Sequence, residues 1–478
     1  MLHPSGFREY DARWLWEAQV DADGLRAVGR GFAALSRERG VARVVVGHDW
    51  RSYSEAVKAA LIEGLVEGGL TVLDVGLCLT PMAYFAQSWL EAPGVAMVTA
   101  SHNPNGWTGV KMGLEPPLTF GPDDMAALKA LALSGGANSA PGGSVQRVEG
   151  LADAWTADLA SRVRLDRPLK VVCACGNGTA GAFAPDALRA IGAEVVEMDC
   201  ELDWTFPRYD PNPEDREMLS EISRRVLETG ADLGLGFDGD GDRCGVVDDR
   251  GQPIFADKMG LLLARGLAAD HPGARLVVDV KSTGLFDTDP LLAAHGCVVD
   301  WWMTGHSHMK RRVAATGALM GFEKSGHFFP APPLGRGYDD GLATAGLVMD
   351  LVARSGRPLS ALREDLAPAW TSLTMSPHCP DDAKYDVVAR LTAQFEAERA
   401  AGRTILGRRI VDVVTINGAR VKLEDGSWLL VRASSNKPEL VVVVESLRSE
   451  DDMRALFHEV MKPRLARHPE VGAFNQEV

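Results

Sequence analysis

The sequence predicts an α/β body followed by a smaller α+β unit, and three observations carry that prediction. Short runs rich in Val, Ile and Leu alternate with helical stretches over the first three quarters of the chain. The alternation comes in three blocks, each of about 100–140 residues, that can be read as divergent copies of one unit. The last hundred residues change rhythm, to strands punctuated by Asn-Gly and Asp-Gly turns. Alternating strand and helix argues for βαβ units with a largely parallel sheet, whereas turn-linked strands argue for antiparallel pairing.

In the first block ARVVVGHD (42–49), LTVLDVGL (70–77) and GVAMVTAS (94–101) read as strands. Glu55 to Gly69 reads as a helix, because Val57, Leu61, Leu65 and Val66 fall roughly on one face. The Gly/Ser/Ala/Pro stretch 134–144 is the clearest linker or loop signal. LKVVCACG (169–176), AEVVEMD (193–199) and DLGLGFD (232–238) repeat the rhythm, as do RLVVDVKS (275–282), CVVDWWMT (297–304) and ALMGFEKS (318–325). Several strands follow between 404 and 446, then a helical tail from Asp451 to Ala466. The expected domains are 1–150, 151–253, 254–366 and 367–478.

Composition excludes several classes. With 46% hydrophobic and 24% charged residues in a chain of 478, wholesale disorder is excluded. The formal charge of -15 and the lack of a basic run argue against a nucleic-acid partner. Apolar runs such as Leu440 to Val444 fall far short of the ~20 residues that span a bilayer, so no membrane association is expected. The N-terminus lacks the cationic start and apolar core of a signal peptide. Seven scattered cysteines form no C-x-x-C pair, so neither a zinc site nor a disulfide framework is expected. Cytoplasm is the expected compartment.

Four polar segments could carry chemistry. Asp238-Gly-Asp-Gly-Asp-Arg243 follows an apolar run; three carboxylates at alternate positions can curl around one hard cation, Mg²⁺ or Ca²⁺. An EF-hand is excluded, because its sixth position should be Gly and is Arg243, and its twelfth should be Glu and is Asp249. Thr99-Ala-Ser-His-Asn-Pro104 ends a strand and would expose Ser101 beside His102, without matching the Gly-x-Ser-x-Gly elbow. Glu323 and Ser325, in Gly321-Phe-Glu-Lys-Ser-Gly-His327, are spaced to grip neighbouring sugar hydroxyls. Arg432-Ala-Ser-Ser-Asn-Lys-Pro438 offers a cationic fork and short donors suited to a phosphate. Gly176-Asn-Gly178-Thr-Ala-Gly181, with Asp199 downstream, satisfies a dinucleotide fingerprint but reads better as a tight strand-to-helix turn. A second match, Gly234-Leu-Gly236-Phe-Asp-Gly239, runs into carboxylates that would repel pyrophosphate and is rejected.

Taken together and in this order, the four segments resemble the α-D-phosphohexomutase superfamily, in particular its bacterial phosphomannomutase/phosphoglucomutase branch. Phe7-Arg-Glu-Tyr-Asp-Ala-Arg13 is similar to that family's N-terminal signature. The resemblance implies three related mixed α/β domains and a C-terminal α+β domain around a central cleft. It implies an isomerase that moves a phosphoryl group between the 1- and 6-positions of mannose or glucose phosphates, with phosphoglucosamine mutase the nearest alternative. A metal-dependent sugar phosphatase and a non-catalytic sugar-phosphate binder rank below both.

By that resemblance Ser101 is the phosphorylated residue, and Asp238, Asp240 and Asp242 hold Mg²⁺ with an oxygen of the phosphoserine. Lys111 is the general base, assisted by Arg13, whose like charge is expected to lower the lysine's pKa. His102 and Arg243 complete the catalytic set. Tyr10, Lys281, His306, Glu323, Ser325 and His327 fall at substrate-contacting positions; Arg432, Ser434, Ser435 and Asn436 bind the phosphate that does not react. Hexose 1,6-bisphosphate is the implied intermediate and activator, a phosphosugar the implied partner, and a monomer or dimer the implied assembly. The chain departs from the branch at Phe322 and Lys324, usually Gly and Met, and at Ser435-Asn436, where the phosphate loop usually runs Asn-Thr.

Overall fold

A computed structural model describes residues 1–135, 139–435 and 437–478. The middle of the expected 134–144 linker, and Asn436 of the expected phosphate loop, lie outside the described residues. The chain forms two compact units. The first comprises residues 1–259, 310–321 and 325–363; the second comprises 260–309, 322–324 and 364–478. Among the described residues, no helix is long and apolar enough to cross a membrane.

The first unit holds two sheets. The strands of the first are β1 (Ala12–Leu15), β2 (Arg43–His48), β3 (Thr71–Leu77), β4 (Gly94–Val98), β5 (Trp107–Gly113) and β6 (Ser144–Arg147), in spatial order β1-β5-β4-β2-β3-β6. β2 pairs in parallel with β3 and β4, and β3 with β6. β5 and β1 close one side antiparallel, so the sheet is mixed rather than parallel throughout. The apolar runs explain the core: Val44, Val46, Val72, Ala96 and Val98 are fully buried against Leu61 and Leu65 of the helix Ser54–Glu67. Burying one such Leu side chain contributes about 2 kcal/mol.

The second sheet contains β7 (Lys170–Ala174), β8 (Glu194–Met198), β9 (Leu233–Phe237), β10 (Cys244–Asp248) and β11 (Pro253–Ile254), in order β11-β10-β9-β7-β8. β7 pairs in parallel with β8 and β9. β9 and β10 instead form an antiparallel hairpin with Phe237 opposite Cys244, so the six residues 238–243 are its loop. The helix Arg216–Thr229 is capped by Asp215, which accepts from the N–H of Glu217 and Met218, and ends at the left-handed Gly230. It buries Met218, Ile222 and Val226 under β9.

The second unit contains the parallel pair β12 (Arg275–Asp279) and β13 (Val298–Trp302), and a six-stranded antiparallel C-terminal sheet. Asn417-Gly418 and Asp425-Gly426 make two of that sheet's turns; both glycines take positive φ, 80° and 86°. The helix Lys384–Ala400 covers the sheet with Val387, Leu391 and Phe395. Arg420 stitches the two parts of this unit together. Its buried guanidinium lies between the rings of Trp301 and Trp428, 3.9 and 3.7 Å from their centroids. It also donates to the carbonyls of Val280 and Ser282, each at 2.7 Å. The expected helical tail forms in three pieces, with a π-helical turn over Leu456–Met461.

Candidate active site

The carboxyl ends of β4 and β9 bring two of the sequence-read segments together within the first unit. Open α/β sheets place their ligands at such ends. Beyond β4 the chain turns at Ser101, whose φ is +53°. Asp49, just past β2, fixes that turn by accepting from Thr99 Oγ1 at 3.0 Å and from the Ala100 N–H at 3.1 Å. Arg51 holds its far side, donating to the carbonyls of Ser101 at 2.8 Å and Asn103 at 2.9 Å. An Asp held by hydrogen bonds and an Arg held by carbonyls offset the strain of a left-handed non-glycine residue.

The hairpin loop meets this turn. Ser101 Oγ lies 3.1 Å from Asp238 Oδ2 and 3.2 Å from His102 Nδ1. Gly239 permits the approach: a Cβ there would stand 2.5 Å from the Ser101 carbonyl oxygen. Gly241 takes φ +74°, letting the loop reverse between Asp240 and Asp242. Asp238, Asp240 and Asp242 are fully buried, with one ligand oxygen of each inside a 4.8 Å cluster.

Electrostatics make this cage incomplete as protein alone. Burial, then the neighbouring Asp242 and Asp240, pushes the Asp238 carboxyl well above the usual range. Burial would also raise Asp240, but Lys111 and a hydrogen bond from Thr80 hold it at about 2. Lys111 Nζ donates to Asp240 Oδ2 at 2.7 Å and to Asp242. The outer oxygens, Asp240 Oδ1 and Asp242 Oδ1, are buried with no hydrogen-bond partner among the described residues. Unpartnered buried carboxylate oxygens are costly, and an all-oxygen donor set fits Mg²⁺. The cage could therefore hold a divalent ion.

One expectation is corrected. Arg13 does not lower the Lys111 pKa. Its guanidinium is occupied by Asp11 Oδ2, at 2.9 and 2.7 Å. Burial opposes the Lys111 ammonium, but Asp240 and Asp242 outweigh it and raise its pKa well above the ordinary value. His102 moves the other way: burial, then Arg243 and Arg13, hold its imidazole neutral.

Arg243 closes the loop. Its N–H donates to Asp238 Oδ1 at 3.2 Å and its Nε to His327 Nε2 at 2.9 Å. An accepting Nε2 leaves the ring's proton on Nδ1, which faces Asp339 Oδ2 at 3.0 Å. Asp339 in turn accepts from the buried Lys310 at 2.7 Å. Ser325 precedes Gly326, whose carbonyl accepts from Cys244 N–H at 3.1 Å, so this segment is tied to the start of β10. Tyr10 is buried, three residues before Arg13.

The remaining sequence-read residues lie in the second unit. Glu323 is buried and accepts from the Gly305 N–H at 2.7 Å, one residue before His306. Thr304 donates to Asp279 at 2.8 Å, and Lys281, two residues beyond Asp279, is buried. The Lys324 backbone N–H donates to Asp279 at 3.3 Å, and its ammonium reaches the Ser372 carbonyl at 3.3 Å. Phe322 packs on Phe286, with ring centroids 5.6 Å apart. Arg432 is the penultimate residue of the strand Trp428–Ala433 and donates to the Ala433 carbonyl at 2.8 Å. Lys384 holds the loop after it, donating to the carbonyls of Ser434 at 2.5 Å and Lys437 at 3.0 Å; Ser435 lies between them.

Asp49, Arg51, Thr80, Lys310, Asp339 and Lys384 escape the sequence reading. Only Asp49 and Arg51 left a local trace, as polar residues directly after β2. The glycines of 176–181 are explained by packing on protein. A Cβ on Gly178 would stand 3.1 Å from the Gly239 Cα, and one on Gly181 would stand 2.1 Å from the Cys200 carbonyl oxygen. Asp199 is taken by Arg208 and Tyr209, so no dinucleotide acid is left over.

A three-block α/β body, an α+β C-terminal unit and a serine set against a triple-aspartate hairpin together define a class. The chain belongs to the phosphoglucomutase/phosphomannomutase family: it matches α/β/α domain I over residues 4–138, domain II over 151–251, domain III over 255–369 and the C-terminal domain over 379–462. Within that family it is 34% identical to the phosphomannomutase/phosphoglucomutase of Pseudomonas putida over 449 residues, covering 93% of this chain and 92% of that one. It is 32% identical to the phosphoglucomutase of Neisseria gonorrhoeae, covering 95% and 94%. A solved family protein from Burkholderia thailandensis superposes with a TM-score of 0.88 at 31% identity, covering 99% of both chains.

Proposed function

We propose that this chain is a hexose phosphate mutase that moves a phosphoryl group reversibly between the 1- and 6-positions of mannose and glucose phosphates. The observation that carries the reading is the 3.1 Å approach of Ser101 Oγ to Asp238 at the mouth of the buried acidic cage. Phosphoryl transfer asks mainly for alignment and for neutralisation of charge on the phosphoryl oxygens. Mg²⁺ bound by Asp238, Asp240 and Asp242 would supply the second.

The chain's own residues supply the rest. Ser101, held by Asp49 and Arg51, presents one oxygen to the sugar phosphate and carries the phosphoryl group between turnovers. Arg243, oriented by His327, faces the equatorial phosphoryl oxygens. Lys111 would be the proton carrier for the sugar hydroxyl once Mg²⁺ takes up the charge of Asp240 and Asp242 that raises its pKa, with Arg13 beside it and the neutral His102 next to Ser101. Glu323 and Ser325 bind hydroxyls that glucose and mannose share, so neither sugar is excluded through C2. Lys281, His306 and Tyr10 complete the sugar contacts. The Arg432 loop, with Ser434, Ser435 and Asn436, takes the distal phosphate. A hexose 1,6-bisphosphate is the intermediate and the activator that primes Ser101. Cytoplasm is the compartment that fits this substrate.

Turnover of the 1-phosphates of mannose, glucose and glucosamine, with free phosphate assayed alongside, tests the reading. Conversion of the first two with little phosphate release is the expected result. Exclusive use of glucosamine 1-phosphate would overturn the sugar assignment. Stoichiometric phosphate release would replace the mutase with a phosphatase.

A further inference from the structure

Three of the seven cysteines, none of them a residue of the acidic cage, converge in the first unit. Cys173 lies on β7 and Cys175 just beyond its end; alternate residues of an extended segment point to one face. The Cys175 N–H donates to the Met198 carbonyl at 3.1 Å, carrying the β7–β8 pairing one residue past the end of β7. The chain then turns at Asp199, φ +50°, and delivers Cys200. Cys175 Sγ lies 3.8 Å from Cys173 Sγ and 3.6 Å from Cys200 Sγ, and all three sulfurs fall within 4.8 Å of one another. Cys173 and Cys175 are wholly buried, whereas Cys200 keeps some exposure.

We propose that Cys173, Cys175 and Cys200 bind one thiophilic d¹⁰ cation, Cu⁺ or Zn²⁺, as a structural site separate from the acidic cage. A cation about 2.3 Å from each thiolate sets neighbouring sulfurs about 3.8 Å apart in a tetrahedral arrangement. The observed 3.6 and 3.8 Å separations meet that requirement as they stand. A disulfide needs sulfurs at about 2.05 Å, so either pair would have to close by more than 1.5 Å. Soft sulfur donors select Cu⁺ or Zn²⁺ over Mg²⁺, while the all-oxygen cage selects the reverse, so the two sites do not compete for one ion.

Each thiol that ligates releases one proton. Three sulfurs suffice for Cu⁺; Zn²⁺ would take a fourth ligand, water, on the exposed side of Cys200. The ion would clamp the ends of β7 and β8. From the first of these the loop 176–181 leaves, in which the Thr179 N–H donates to the Gly239 carbonyl at 3.1 Å.

The test titrates the full-length chain, reduced and stripped of metal, with Cu⁺ against bathocuproine disulfonate and separately with Zn²⁺ against a chromophoric chelator. Excess Mg²⁺ is present in both arms. One equivalent of Cu⁺ or Zn²⁺ retained per chain, with a raised melting temperature, is the expected result. The Cu⁺ arm should show an all-sulfur shell by X-ray absorption, and the Zn²⁺ arm sulfur plus one oxygen. Cys200→Ser and Cys175→Ala should each weaken binding by more than the about 10–100-fold that loss of an outer-shell partner costs. Cys297→Ser, at a separate cysteine, should leave binding unchanged. Loss of both metals to their chelators, or retention unaffected by Cys200→Ser in a protein of native circular dichroism, overturns the proposal. So does a Cys175–Cys200 disulfide in protein isolated without reductant.

Discussion

Gly239→Ala tests whether the serine turn and the acidic hairpin work as one unit. The new Cβ would stand 2.5 Å from the Ser101 carbonyl oxygen, where ordinary contact begins at 3.4 Å, so the two segments must part by about 0.9 Å. Neither side yields easily. The Ser101 carbonyl is gripped by Arg51 at 2.8 Å, and the Gly239 carbonyl accepts from the Thr179 N–H. A displacement of about 1 Å at a reacting group costs about 10²-fold in rate, and overpacking costs about 1–3 kcal/mol in stability. The expected outcome is therefore a kcat for hexose 1-phosphate lowered by about 10²-fold, with KM changed much less, in a protein that still melts cooperatively. Steady-state turnover and thermal denaturation read both quantities. A Gly239→Ala protein with native kcat would show that the Ser101 to Asp238 distance does not limit the reaction, and the reasoning would fail.

Other expectations follow from single residues. Asp340 caps the helix Gly341–Ser355, accepting from the Leu342 and Ala343 N–H groups, and burial pushes its pKa up to about 6. A raised carboxyl pKa means the native state binds the extra proton between about pH 4 and 6. Its cost to stability is thus absent below the unfolded value and fully present above 6. Asp340→Asn keeps the cap without the charge, and should stabilise the protein by about 1–3 kcal/mol at pH 7.5, an advantage that shrinks towards pH 4.5 in paired denaturation curves. An advantage independent of pH would contradict the assignment. Lys384→Met leaves the Ser434 and Lys437 carbonyls without their donor and should raise KM about tenfold, with kcat little changed; an unchanged KM would remove the Arg432 loop from the site. Arg420→Met should lower stability by about 2–4 kcal/mol, through the lost stacking between two tryptophans and the two carbonyls left unpaired. A melting temperature within a degree or two of the parent would contradict that.

The parts of the fold that repeat a simple pattern were readable from the residues. β2, β3, β4 and β9 are apolar runs of the right length, and Gly418 and Gly426 mark turns that need positive φ. The antiparallel edges were not readable, because Trp107–Gly113 has neither strict alternation nor a continuous apolar run. The cage was legible as three aspartates at alternate positions. The groups that hold it were not: Thr80 reaches Asp240 from a distant point of the chain, and Lys310 and Asp339 act on Arg243 only through His327, contacts that leave no periodic trace. The direction of the Lys111 shift was misread for the same reason. Its neighbours in space are Asp240 and Asp242, more than a hundred residues away, and their attraction exceeds any effect of Arg13. The cysteines teach the same lesson. Cys173 and Cys175 lack the C-x-x-C spacing, and only the pairing of β7 with β8 brings Cys200 to them.

The proposed reaction requires that Ser101 store a phosphoryl group beside the aspartate cage and exchange it with the sugar. Peptide mass analysis of the full-length protein, before and after incubation with isotopically labelled hexose 1,6-bisphosphate and Mg²⁺, tests it most directly. Phosphate is expected on the peptide that contains Ser101, exchanging with the label at a rate at least equal to kcat and absent from Ser101→Ala. A fully active preparation in which Ser101 never carries phosphate, or carries one that does not exchange, would contradict it.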